Sequence, residues 1–145
     1  MNLLINNILV PYDGSDCAKH ALELACDIAL PNPDSRSEVV TVVPAPHLSE
    51  KATEEFAEVL DLMDQHGKEI LETAFDCIDP DLNDRVETFI LKGPKPGNEI
   101  VKLANEKSYD LIVIGSRGLS GMKEYLGSVS HKVLNGVSVP VMIAR

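Results

Sequence analysis

The chain has 145 residues, 44% hydrophobic and 25% charged, enough apolar material for one core of ordinary domain size and too little charge for a disordered chain. Its net charge of −10 excludes general affinity for DNA or RNA, because nucleic-acid backbones are held by Lys and Arg. The cysteines, Cys17, Cys26 and Cys77, are scattered and lack C-x-x-C spacing, which excludes a disulfide framework or a zinc site and fits a reducing cytoplasm.

The first run, MNLLINNILV, has no basic leader and no small-residue cleavage site before it meets Pro11, so it predicts a buried strand over Leu3 to Val10 rather than an export signal. No apolar run approaches the roughly 20 residues of a membrane helix. After Pro11 and Gly14, Ser15 suits an N-cap, and Ala18, Ala21, Leu22, Ala25 and Ala29 recur at helical spacing as a small-residue face for lying on a sheet. Pro31 and Pro33 end that helix. Glu38 to Val43 is a β-branched run that predicts a second strand, stopped by Pro44-Ala45-Pro46.

The longest helix is expected next, with Phe56, Val59, Leu60, Met63, Ile70, Leu71, Ala74 and Ile78 on its core face and a possible bend at Gly67. Its other face carries Glu54, Glu55, Glu58, Asp61, Asp64, Glu69 and Glu72, which reads as a solvated surface, with an interaction surface as the alternative. Val86 to Leu91 predicts a third strand, Asn98 to Lys107 a short helix, Asp110 to Ile114 a fourth strand, Ser128 to Val137 a helix and Val139 to Ala144 the last strand.

Strands alternating with helices, most of them apolar on both sides, specify an α/β domain spanning residues 1–145: a five-stranded, mainly parallel open sheet with helices on both faces. Such sheets bind ligands beyond the carboxyl ends of their strands, where strand order reverses. That rule selects the loops Pro11 to Ser15 and Gly115 to Gly127.

The second loop is rich in small residues: Gly115, Gly118, Gly121 and Gly127, with Ser116, Ser120, Ser128 and Ser130. Glycines let main-chain amides approach a ligand closely, and amides ahead of a helix form a nest for anions. The loop also lies in the basic part of an acidic chain, since residues 111–145 hold Arg117, Lys123, Lys132 and Arg145 against Glu124 alone. Phosphate is the natural ligand, although turns alone would also explain the glycines. Neither G-x-x-x-x-G-K-[ST] nor G-x-G-x-x-G is present.

ILVPYDGS (8–15), EVVTVV (38–43), DLIVIGSRG (110–118), GSVSHKV (127–133) and VPVMIAR (139–145), in this order over nearly the whole chain, resemble the universal stress proteins of the UspA type. The resemblance implies a Rossmann-like fold of the adenine nucleotide alpha hydrolase kind. In the ATP-binding branch the pattern G-x2-G-x9-G-[ST] holds phosphates and ribose. Carried over, it implicates Gly115, Gly118, Gly127 and Ser128, with Val129 and Ser130 at the helix start. It also implies Pro11, Asp13 and Val42 on the adenine side, with Val42 and Ile114 as apolar walls; Arg117, in the same loop, is a candidate phosphate clamp on its own chemistry. ATP, with or without Mg2+, is the implied ligand. The chain departs from the pattern at LSGMKEYL, which is one residue short between Gly118 and Gly127.

Asp13 also reads as a turn or cap residue with Gly14, and Arg117 as a solvated loop residue. His20, His47, His66 and His131 form no H-x-x-x-H or H-E-x-x-H arrangement, so no metal site is expected, and no G-x-S-x-G elbow supports catalysis. The apolar last strand predicts a sheet edge, and the resemblance implies a homodimer through residues 139–145. The sequence therefore points to a cytoplasmic, nucleotide-dependent stress-response module that is not an enzyme. The alternatives are a nucleotide-free dimeric module of the same family and a slow ATPase.

Overall fold

The structure, a computed structural model, describes residues 4–117 and 126–145. Five apolar runs form strands β1 (Asn7–Pro11), β2 (Arg36–Pro44), β3 (Val86–Gly93), β4 (Leu111–Gly115) and β5 (Val141–Ala144). They make one sheet in the order β3-β2-β1-β4-β5, with every neighbouring pair parallel. Between them run α1 (Asp16–Ala29), α2 (Glu50–Glu55), α3 (Ala57–Ala74), α4 (Pro96–Glu106) and α5 (Ser128–Gly136). The α/β expectation is met, and β5 occupies an edge.

Side chains alternate across a strand, so an apolar run supplies both faces of the sheet. Ile8, Val10, Leu111 and Val113 pack with α1 and with Leu71 and Ala74 of α3. Leu9, Val40, Ile112 and Ile114 pack on the opposite face with Ile100 and Ala104 of α4 and Val133 of α5. β1 is sandwiched by both layers, and Ile8, Leu9 and Val10 are fully buried. The chain leaves β1 toward β2 on one side and places β4 on the other. The carboxyl ends of β1 and β4 therefore flank the point where the order reverses.

Some expectations need correction. Among the described residues the first strand begins at Asn7, so Leu4 to Asn6 precede it: the amides of Asn6 and Asn7 are drawn to Asp110 Oδ2, each at 2.9 Å, and Leu4 stands 67% exposed. The long helix is broken at Phe56 (φ −104°, ψ 17°) into α2 and α3, and it ends in a 3-10 turn at Phe75–Cys77.

Gly67 lies within an unbroken α3 and has a packing role. A Cβ there would lie 2.8 Å from Val43 Cγ2 and 3.3 Å from Ile90 Cδ1, so the glycine lets the helix approach β2 and β3. This contact also explains why the expected core face is buried only in its second half. Gly67 sits over Val43, near the carboxyl end of β2. Val59 is eight residues earlier in the chain, about 12 Å further along the helix axis and past the strand ends. Leu71, Ala74 and Ile78 are buried, whereas Phe56 and Val59 are 51% and 53% exposed.

The acidic face is solvent-exposed except at Asp64, half-buried and paired with Lys92 Nζ at 2.8 Å. Among the described residues, no helix is long and apolar enough to cross a membrane.

Candidate functional site

At the carboxyl ends of β1, β2 and β4, a cavity of about 690 Å³ opens between the strand ends and the amino ends of α4 and α5. Its size is that of a small-molecule pocket. The end of β1 brings Pro11 to its wall and the loop after it Asp13, and β2 brings Val42. Ile114, Gly115 and Arg117 come from β4 and the residues following it, and Gly127, Ser128, Val129 and Ser130 from the start of α5. Every one of these was singled out from the sequence. Gly118 lies outside the described residues, as does most of LSGMKEYL.

The loops are tied to one another by main-chain and hydroxyl hydrogen bonds. Asp13 Oδ1 accepts from the Ser15 amide at 2.9 Å, and Gly14 follows the turn at φ +82°, where a Cβ would be strained. The turn role read for Asp13 is therefore present, and it leaves the residue in the cavity wall. Ser15 caps α1 by accepting from the Ala18 amide at 3.2 Å, while its hydroxyl donates to the Arg117 carbonyl at 3.4 Å. The Gly127 amide donates to Ser116 O at 2.7 Å, and the buried Ser130 hydroxyl donates to Gly115 O at 2.5 Å.

Gly115 has a packing reason of its own. A Cβ there would come within 2.8 Å of the Cys17 carbonyl carbon and 2.9 Å of the Ala18 amide nitrogen, so α1 starts directly against the end of β4.

The charge distribution is uneven. Among the described residues, α1, α2, α3 and α4 each carry an acid in the first turn, namely Asp16, Glu50, Glu58 and Glu99, and α5 carries none. Its N-cap is Gly127, which has no side chain to offer the helix. The amides of Ser128, Val129 and Ser130 precede the first helical bond, from His131 N to Gly127 O at 2.9 Å. Among the described α-helices, α5 thus has no first-turn carboxylate set against its partial positive charge.

Beside it, Arg117 Nη2 donates to Cys17 Sγ at 3.7 Å, and Ser116 Oγ lies 3.7 Å from the same sulfur. Burial pushes the Cys17 thiol up, but the hydrogen bonds from Ser116 and Arg117 and the guanidinium charge outweigh it and bring the pKa below the ordinary thiol value. Arg117→Met should therefore raise the titration midpoint of Cys17, observed by NMR of a 13C-labelled Cys17 Cβ; an unchanged midpoint would mean that the guanidinium does not act on the sulfur.

The loop after β1 is also anchored to α3. Thr73 Oγ1 donates to Ile70 O at 2.6 Å, so its one hydroxyl proton is committed, and Tyr12 must donate to Thr73 Oγ1 across 2.6 Å. Tyr12→Phe should cost about 1 kcal/mol, measured by urea unfolding; no loss would show that the bond contributes nothing net.

The sequence model of the universal stress protein family matches residues 5–145. The chain belongs to this family. Universal stress protein YxiE of Bacillus subtilis is 35% identical over 98% of this chain and all of its own length. Universal stress protein MJ0531 of Methanocaldococcus jannaschii is 30% identical over 98% of this chain and 83% of its own. Among solved structures, the universal stress protein UspA from Lactobacillus plantarum superposes with a TM-score of 0.79 at 26% identity, covering 99% of this chain and all of that one. Membership accounts for the sheet order.

The same universal stress protein cavity is lined by residues that sequence reasoning missed, among them Tyr12, Val40, Thr41, Pro96 and Ile100. Thr41 had a signal, as the one polar side chain within the run VVTVV. Pro96 and Ile100 had none, because only the packing of α4 over the strand ends brings them there. The histidines lie elsewhere: His131 is on the exposed side of α5 with Nε2 3.1 Å from Asn135 Nδ2, and His20 Nδ1 meets the Arg145 carbonyl at 2.6 Å. Among the described residues, no group of three His, Cys, Asp or Glu side chains is placed to hold a metal ion.

Proposed function

We propose that this protein binds an adenine nucleotide, ATP in our reading, in the cavity between β1 and β4, and acts in the cytoplasm as a nucleotide-dependent stress-response module. The observation that carries the proposal is the start of α5: in a chain of net charge −10, this helix alone among the described α-helices begins without an acid, and it begins in the cavity wall. A phosphate there would meet the amides of Ser128, Val129 and Ser130 and the Ser128 hydroxyl, with Arg117 nearby. Val42, Val40, Ile114 and Ile100 form apolar walls suited to a base, and Asp13 is placed to accept from a ribose hydroxyl.

Proteins of this fold are described with adenine nucleotides: a universal stress protein of Archaeoglobus fulgidus with dAMP, one of Arabidopsis thaliana with AMP, and another with cAMP. At 21%, 20% and 24% identity, these likenesses extend to the fold. The case for a nucleotide therefore rests on this chain's own residues.

We read the protein as a binder. Besides Arg117 and Asp13, whose Oδ1 already accepts from the Ser15 amide, its cavity wall offers apolar surface, hydroxyls and amides. The decisive experiment denatures purified protein, chromatographs what is released, and titrates the emptied protein with ATP, AMP and cAMP by calorimetry. Heat with ATP supports the reading, and no released nucleotide together with no heat at millimolar ATP removes it.

The second reading, a nucleotide-free dimeric module, is favoured by the one-residue shortening of LSGMKEYL, since a residue of extended chain spans about 3.5 Å. Its signature is a melting temperature unmoved by ATP, whereas ligand at 100 times its Kd should add about 2.7 kcal/mol. Both readings include a homodimer through residues 139–145. Ile112 N donates to Pro140 O and Ser116 N to Ala144 O, so even-numbered residues of β5 face β4, and the amides of Val141 and Ile143 face away from the sheet. Ile143→Pro removes one of those outward amides. The variant should sediment as a folded monomer where the parent sediments as a dimer; a dimeric variant, or a monomeric parent, would count against this interface.

A further inference from the structure

The exposed apolar residues at the start of α3 do not line the cavity between β1 and β4. Phe56, Val59 and Leu62 recur every three residues and are 51%, 53% and 70% exposed. Leu62 sits on the side of α3 opposite Gly67 and Leu71, the residues that meet the sheet. Isolated exposed leucines are ordinary, whereas three large apolar side chains in one helical stripe form a patch. Beside the stripe runs a groove of about 280 Å³ between α3 and the loop after β2, lined by Pro46, Leu48, Leu60 and Met63 and closed by the Asp64–Lys92 pair. Its volume suits one large side chain rather than a cofactor.

The charge around this patch selects its occupant. Residues 50–74 hold eight acidic residues against Lys51 and Lys68, and Glu54, Glu55, Glu58 and Asp61 border the stripe, all exposed. A second copy docking by a two-fold would bring these carboxylates against each other, and an anionic lipid surface would be repelled. We propose that the N-terminal half of α3 and its groove form a docking surface for a basic amphipathic helix of a partner protein. One large apolar side chain would enter the groove, further apolar residues would cover Val59 and Leu62, and flanking Lys or Arg would meet the acidic border. This is helix-in-groove recognition with electrostatic complementarity.

The test uses the full-length protein and a fluorescent synthetic helix of alternating Leu and Lys clusters, with a same-charge control in which Leu is replaced by Ser. Binding followed by anisotropy should weaken by about tenfold or more for the Ser peptide and for the Val59→Ser/Leu62→Ser variant, a difference of about 1.4 kcal/mol. Both changes leave net charge untouched, and the variant should keep its circular dichroism spectrum because the altered side chains are exposed. Amide NMR shifts on adding the peptide should cluster in residues 48–64.

Equal affinity of variant and parent, or shifts spread over the acidic surface at large, would reduce the attraction to general charge and overturn the proposal. Self-association of the parent that Val59→Ser/Leu62→Ser abolishes would assign the patch to a second copy and overturn it as well. Neither result bears on nucleotide binding, which is measured separately.

Discussion

Replacing Ser128 with aspartate should weaken ATP binding by about tenfold to a hundredfold while leaving the melting temperature unchanged or slightly higher. The two effects have opposite signs because they act on the same positive helix end. An acid at the start of α5 complements the helix dipole, adding about 0.3–1 kcal/mol of stability. A phosphate within about 5 Å of that carboxylate would be repelled by about 1.5–3 kcal/mol, depending on how far water screens the pair. A change that merely disturbed the fold would lower both quantities. Calorimetry and a thermal melt on one variant therefore separate function from stability, and undiminished ATP affinity would place the phosphates somewhere other than at α5.

Gly115→Ala should be among the most damaging single-methyl additions to this chain. The new Cβ would meet Cys17 C at 2.8 Å, Ala18 N at 2.9 Å and Cys17 Cβ at 2.9 Å. Two of those three atoms are helix backbone, so no rotamer change relieves the clash. Either α1 moves or β4 does, and both belong to the central core. Overpacking of this kind costs about 1–3 kcal/mol, a fall in melting temperature of roughly 3–10 °C for a chain of this size. Saturating ATP should raise variant and parent alike and leave the gap between them, because the strain lies in the packing of α1 against β4. A melting temperature equal to the parent's would show that α1 shifts at no cost.

The Gly115 case alters what the glycine-rich loop means. From the sequence, the bare positions serve main-chain amides approaching an anion. In the structure, Gly115 accommodates α1, and the proposed phosphate contact falls instead on Gly127 to Ser130, where the helix begins without acid or side-chain cap. Ser130 divides its functions: its hydroxyl holds the Gly115 carbonyl, which leaves its amide, not its side chain, for a ligand.

Legibility varied along the chain for physical reasons. β4 and β1 were plain because central parallel strands are buried on both sides and read as unbroken apolar runs. The end of β1 was equally plain at Pro11, but its start was not. The apolar residues Leu4 and Ile5 look like strand but precede it; pairing starts at Asn7, where Asp110, distant in sequence, takes the Asn6 and Asn7 amides. The candidate site was legible where a motif is contiguous, at 11–13 and 127–130. It was illegible at Pro96 and Ile100, which reach the cavity through the seating of α4 on the sheet.

By itself the sequence determined the kind and order of the elements, the family, and the loops that meet at the strand ends, because hydrophobic period, turn residues and short motifs are properties of neighbouring residues. Only the tertiary structure decided which faces are covered. The period of α3 marks an apolar side along its whole length, yet the sheet reaches only part of it, since the close approach at Gly67 sets the helix past the ends of β2 and β3. Burial depends on how one element is offset against another, and that offset arises from contacts between residues far apart in the chain, such as Gly67 with Val43 and Gly115 with Cys17.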